Sequence, residues 1–219
     1  MRGATPPSYA VACAGLSAFG PLVAALALGG RRIVSRWRAN PIWILAALFT
    51  PMAVNVVTTA IYVALFRAPV EWLHLPSTPE QIAALVVFPL GEELGWRGFA
   101  HPRIVDRYGL VKGSLLLGAI WGVWHLAYSV TPEAGRFDAV TFAMTVSELP
   151  FYAVVVGWFF ERTKRSMLVA LAIHAGAHLD HLEPAARADL RLHATHLAVL
   201  MALSLLVARR TREASASPL

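Results

Sequence analysis

The sequence predicts an all-α, polytopic transmembrane helix bundle of about seven spans, and three observations carry that expectation. Of the 219 residues, 57% are hydrophobic and only 15% are charged, with a mean hydropathy of +0.57. A soluble domain has too little polar surface to cover so large an apolar share. Apolar windows near the roughly 20 residues that cross a ~30 Å hydrocarbon core recur at about 8–30, 41–66, 79–100, 111–130, 139–160, 167–179 and 190–208. The segments between them alternate in charge. Segments 31–40, 101–112, 161–166 and the tail after 208 are rich in Arg and Lys, whereas 67–78, 131–138 and 180–189 mix Glu and Asp with a few Arg.

Lys and Arg beside short loops are retained on the cytoplasmic side. The alternation therefore predicts an odd number of spans, with the N-terminus outside, the C-terminus in the cytoplasm and the protein integral to the plasma membrane. The net charge of +6 and pI near 10.1 would also suit a nucleic-acid binder. The basic residues, however, form short clusters between apolar runs: Arg31, Arg32, Arg36 and Arg38; Arg162, Lys164 and Arg165; Arg209, Arg210 and Arg212. That placement is topogenic, so the expected contacts are membrane lipid and a membrane-associated peptide, with no nucleic acid. One domain is expected over 1–219, with a motif-bearing core at about 79–180 and a flexible tail at 209–219.

Taken in order, the first window contains Ala10-Val11-Ala12-Cys13, a faint likeness to a lipoprotein cleavage site. Cys13 stands too early in an uncharged run that continues to Gly30, so the window reads as a retained helix. As a single cysteine, Cys13 supports neither an intramolecular disulfide nor a cysteine metal cage. The second and seventh windows are generic membrane helices. Pro89 in the third window and Pro150 in the fifth each remove a backbone N–H near a carboxylate, so kinks beside a polar cavity are expected there.

The third window carries Pro89-Leu90-Gly91-Glu92-Glu93-Leu94-Gly95-Trp96-Arg97. Each charge at the centre of a membrane helix costs about 2.5–3.5 kcal/mol on insertion scales, which makes the group a site candidate. Glu93 and Arg97 are four apart, with the acid on the N-terminal side, the favourable order for an ion pair. Glu92, rotated about 100° from Glu93, has no cation at that spacing and is the carboxylate available to act on a water.

In the fourth window Trp121 and His125 are four apart on one helical face. In the sixth, His174 and His178 stand one turn apart with only Ala175, Gly176 and Ala177 between them. That spacing holds zinc in other helical sites, although His178 can equally belong to a helix end facing water.

Taken together, an E-E-x-x-x-R helix, an aromatic-x-x-x-His helix and a His-x-x-x helix in that order resemble the CPBP intramembrane proteases, which include the type II CAAX prenyl endopeptidases and bacteriocin-immunity proteins. The resemblance runs from about Pro89 to His178. It implies that Glu92 activates a water, that Glu93 and Arg97 complete the first motif, and that His125 and His174 supply the second and third. The family usually has asparagine where this chain has His178. An asparagine amide can donate to an oxyanion, whereas a histidine donates only in the right tautomer or when protonated.

The resemblance implies hydrolysis of a peptide bond in a membrane-associated substrate such as a CAAX-like or leader peptide. Two descriptions of the water fit it. In one, Glu92 alone activates a water held by neutral histidines; in the other, Glu92, His125, His174 and His178 hold a divalent metal such as zinc. A proton-coupled transporter is the competing reading of intramembrane Glu, Arg and His, but the chain shows no paired repeats. A weakly active immunity or scaffold protein is the third.

Overall fold

The computed structural model of the chain describes residues 16–29, 33, 36–68, 75–128, 130–131, 136–137, 139–179 and 189–216. They form seven helical rods: α1 (Gly20–Ala27), α2 (Pro41–Phe66), α3 (Pro79–Gly95) running through a π turn at Trp96–Ala100 into α4 (His101–Tyr108), α5 (Leu110–Trp124), α6 (Ala139–Arg162), α7 (Met167–Ala177) and α8 (Leu190–Ala216). A two-residue antiparallel pair, Val130–Thr131 with Arg136–Phe137, joins α5 to α6. The fold is an all-α bundle, as the seven apolar windows predict. Residues 8–15 of the first window and Cys13 lie outside the described residues.

Three rods, Pro41–Phe66, Ala139–Arg162 and Leu190–Glu213, are long and apolar enough to cross a membrane, and Leu110–Trp124 and Met167–Ala177 are shorter apolar helices. The outer faces are greasy: Ile42, Leu45, Phe49, Leu65, Val86, Leu205 and Leu206 are all exposed. On an integral membrane protein these faces meet lipid, where apolar exposure costs nothing. The helix starts follow local chemistry. Asn40 Oδ1 accepts from Ile42 N at 2.9 Å ahead of Pro41, and Thr78 with Gln81 forms a capping box ahead of Pro79.

Close packing rests on glycines that face a neighbouring backbone. A Cβ on Gly118 of α5 would lie 2.5 Å from Leu149 O and from Pro150 Cα of α6. Gly122, one turn on, faces Val146. The α5–α6 contact is therefore a small-residue seam of the kind that lets membrane helices approach. Gly91 and Gly95 seat α3 against Ala18 and Pro21, and Gly176 seats α7 against the backbone of Leu48.

Two boundaries differ from the sequence expectation. Residues 101–108, expected in a loop, continue the third rod as α4, whose His101, Pro102 and Val105 are buried while Arg103, Arg107 and Tyr108 point out. An amphipathic pattern of this kind holds a helix that charge counting alone assigns to a loop. Residues 209–216, expected as a loose tail, continue α8.

The described parts of the four basic segments gather at one end of the bundle. Arg165 NH2 meets Asp106 Oδ1 at 2.6 Å, Met167 N donates to Arg36 O at 2.8 Å, and Tyr108 and Lys112 share a surface cleft with Ala208 and Arg212. At the opposite end, Tyr62 near the end of α2 donates to Asp189 just before α8.

Candidate functional site

The site is organised by Trp121, near the C-terminus of α5. Its Nε1–H donates to Glu92 Oε2 at 2.7 Å. Its ring carries the Arg97 guanidinium 4.4 Å from the ring centroid, meets the rings of His125 at 5.9 Å and His174 at 5.4 Å, and stacks on Tyr152 at 6.1 Å. An indole offers one N–H donor and a broad π-face, so a single side chain positions an acid, a cation and two imidazoles. Trp121 itself is 3% exposed.

The first motif behaves as helix geometry predicts, with one addition. Arg97 NH1 donates to Glu93 Oε1 at 2.8 Å, and both side chains are fully buried. His174 Nδ1, arriving from α7, stands 2.7 Å from that same oxygen. Glu93 is thus the joint between the first and third motifs, and Glu92, its neighbour in sequence, turns instead to the indole. The π turn that begins at Trp96 follows this motif directly, and π turns inside helices often mark functional sites.

His125 sits at the C-cap of α5 with Nδ1 2.8 Å from Trp121 O. His178 sits at the C-cap of α7, stacked between His174, centroids 5.2 Å apart, and Phe88, 5.7 Å apart. Glu92, Glu93, Arg97, His125, His174 and His178 are therefore brought together from α3, the π turn, α5 and α7. All six stand in the sequence motifs of the third, fourth and sixth windows.

Glu92, His125, His174 and His178 are the four side chains that the resemblance implies as ligands if a metal is used. Among the described residues, no group of three or more His, Cys, Asp or Glu side chains is placed to hold a metal ion. His174 Nδ1 is engaged by Glu93, Glu92 Oε2 by the indole and His125 Nδ1 by a backbone carbonyl.

A cavity of about 330 Å³ opens beside the cluster. Trp121, His125, His174 and His178 form one wall, Tyr152, Glu148 and Thr145 of α6 another, and His193, His196 and Leu200 of α8 a third. Glu92 and Glu93 lie behind the first wall, 3% and 0% exposed. Sequence reasoning missed Tyr152, Glu148, His193 and His196. Glu148 is an intramembrane carboxylate in the fifth window, the signal that would have found it. His193 and His196 are three apart in the seventh window and so share a helical face.

Comparison with known proteins agrees with the motifs. A family model described as type II CAAX prenyl endopeptidase Rce1-like matches residues 74–179. A CAAX prenyl protease 2 from Methanococcus maripaludis is 25% identical over 122 residues, 53% of this chain and 45% of that protein. The chain thus spans somewhat less than half the length of this relative. The family match ends before α8 begins.

Proposed function

From the match of residues 74–179 to the Rce1-like family of type II CAAX prenyl endopeptidases, we propose that the chain is an intramembrane endopeptidase in which Glu92 activates the hydrolytic water. The observation that supports this most is the gathering of Glu92, His125 and His174 around the single indole of Trp121, with both histidines in the wall of a cavity between helices and Glu92 directly behind it. The proposed substrate is a prenylated, membrane-associated peptide ending in a CAAX-like sequence.

In this reaction Trp121 Nε1–H holds one oxygen of Glu92, and the carboxylate takes a proton from a water as that water attacks the scissile carbonyl. Donating Nδ1–H to Trp121 O and to Glu93 Oε1, His125 and His174 present Nε2 as an acceptor and so orient the attacking water. Glu93 accepts from the His174 Nδ1–H, so His174 presents its Nε2 side to the reaction. When the C–N bond breaks, Glu92 returns its proton to the leaving nitrogen. His178, in the family's asparagine position and stacked on His174, packs that ring in place and, in the tautomer that turns its N–H to the substrate, donates to the oxyanion.

The test is cleavage of a farnesylated CAAX peptide by the purified protein and its Glu92→Gln variant. The variant keeps shape and hydrogen bonding but loses the base, so turnover falls by about 10²–10⁴-fold while thermal unfolding in detergent stays near wild type. Near-normal turnover in Glu92→Gln removes Glu92 from the role. Wild-type activity is expected to survive a chelator, and loss with recovery on adding zinc would overturn the metal-free scheme.

A further inference from the structure

The cavity has a polar wall that the proposed chemistry does not use. On α6, Thr145, Glu148 and Tyr152 fall at i, i+3 and i+7 and line it; on α8, His193, His196 and Leu200 do the same. Glu148 divides its two oxygens between the imidazoles: Oε1 lies 3.2 Å from His193 Nδ1 and Oε2 lies 3.2 Å from His196 Nδ1. The three side chains are only 16%, 14% and 25% exposed. Both histidines lie beyond the segment that the family model matches, so the family resemblance assigns them nothing.

We propose that Glu148, His193 and His196 form a subsite that receives the terminal carboxylate of the peptide substrate, with His196 as the group that meets it. The inference rests on the endopeptidase reading above, because a substrate cleaved near its C-terminus brings that carboxylate into the same membrane-embedded cavity. Among the described residues no Lys or Arg lines the cavity, and the imidazoles of α8 are the groups there that can meet an anionic chain end with an N–H.

Glu148 settles how they bind it. A carboxylate at Nδ1 fixes the tautomer and ring orientation of a histidine, so that a protonated His196 gives Nδ1–H to Glu148 and Nε2–H to the ligand. The cavity volume falls at the lower end of the range of small-molecule sites, enough for a short peptide end rather than a folded partner.

The experiment compares a farnesylated CAAX peptide carrying a free C-terminal carboxylate with the same peptide as its C-terminal amide. For the wild type, kcat/KM is expected to favour the acid by at least about tenfold, the value of one charge-assisted hydrogen bond, with the difference in KM. In His196→Gln, and in His193→Gln as a second variant in case the first does not fold, the ratio falls towards unity. A wild type that does not discriminate, or folded variants that discriminate as well as the wild type, overturns the subsite. If the wild type cleaves neither peptide, the endopeptidase reading fails on its own. The subsite is then decided by fluorescence anisotropy of the two labelled peptides binding to the Glu92→Gln protein, where the acid must bind more tightly than the amide and His196→Gln must abolish the difference.

Discussion

His174 Nδ1 lies 2.7 Å from Glu93 Oε1, the oxygen that also receives Arg97 NH1 at 2.8 Å. Two side chains from different helices share one buried acceptor, 81 positions from His174 in sequence, so Glu93 is both the counter-charge of Arg97 and the partner that orients His174.

Glu93→Gln leaves the buried Arg97 guanidinium without its counter-charge and removes the acceptor that orients His174. Breaking a buried pair of this kind costs on the order of 3–5 kcal/mol. The expected outcome is a sharply lower unfolding temperature in detergent together with lost cleavage, in contrast to the stable but inactive Glu92→Gln. A Glu93→Gln protein as stable as wild type would show that Arg97 draws its balance from elsewhere.

Trp121→Phe separates the indole's two tasks. Phenylalanine keeps an aromatic face for Arg97, His174 and Tyr152 but has no N–H for Glu92. Loss of one hydrogen bond to a charged group corresponds to about a tenfold change or more. The variant is expected to express at wild-type levels and to lose at least about tenfold in kcat, read in the same peptide assay. Unchanged kcat would mean that the Trp121 hydrogen bond is not kept in the reacting state.

The described parts of the four basic segments meet at one end of the bundle, and the positive-inside rule predicts that this end faces the cytoplasm. Single cysteines at Lys164 and Arg212, in a background where Cys13 is replaced, should both be labelled only from the cytoplasmic side by an impermeant thiol reagent. Labelling of the two from opposite sides would contradict the helix order between them.

At that same end Arg165 holds the Asp106 carboxyl below the usual carboxylate range, chiefly through their hydrogen bond. A carboxyl whose folded pKa is depressed stabilises the fold above its unfolded value near 3.9, and that contribution is lost as pH falls through the lower folded value. Asp106 is 63% exposed, so solvent screening limits the pair to under about 1 kcal/mol. Asp106→Asn should therefore lower the unfolding temperature slightly at neutral pH, with the gap to wild type closing as pH falls below about 4. A large, pH-independent loss would point to a packing role instead.

Much of this protein is written in local sequence. Seven apolar windows and alternating basic loops fix an all-α membrane bundle because hydrophobic length and Lys/Arg placement act segment by segment, without help from distant residues. The Glu93–Arg97 pair is equally local, since four residues make one turn, and the motifs name the six residues that converge. Other features come only from the packed chain. Charge counting places 101–112 in a loop, but burial of His101 and Val105 against the bundle keeps α4 helical. Trp121 as the hub, His174 on Glu93 rather than Glu92, and the Glu148–His193–His196 cluster each join helices that no spacing rule relates. They depend on how closely α5 approaches α6 at Gly118 and how closely α7 approaches α2 at Gly176. Periodicity along one helix dictates which side chains share a face; which face meets which neighbour is a property of the assembled bundle.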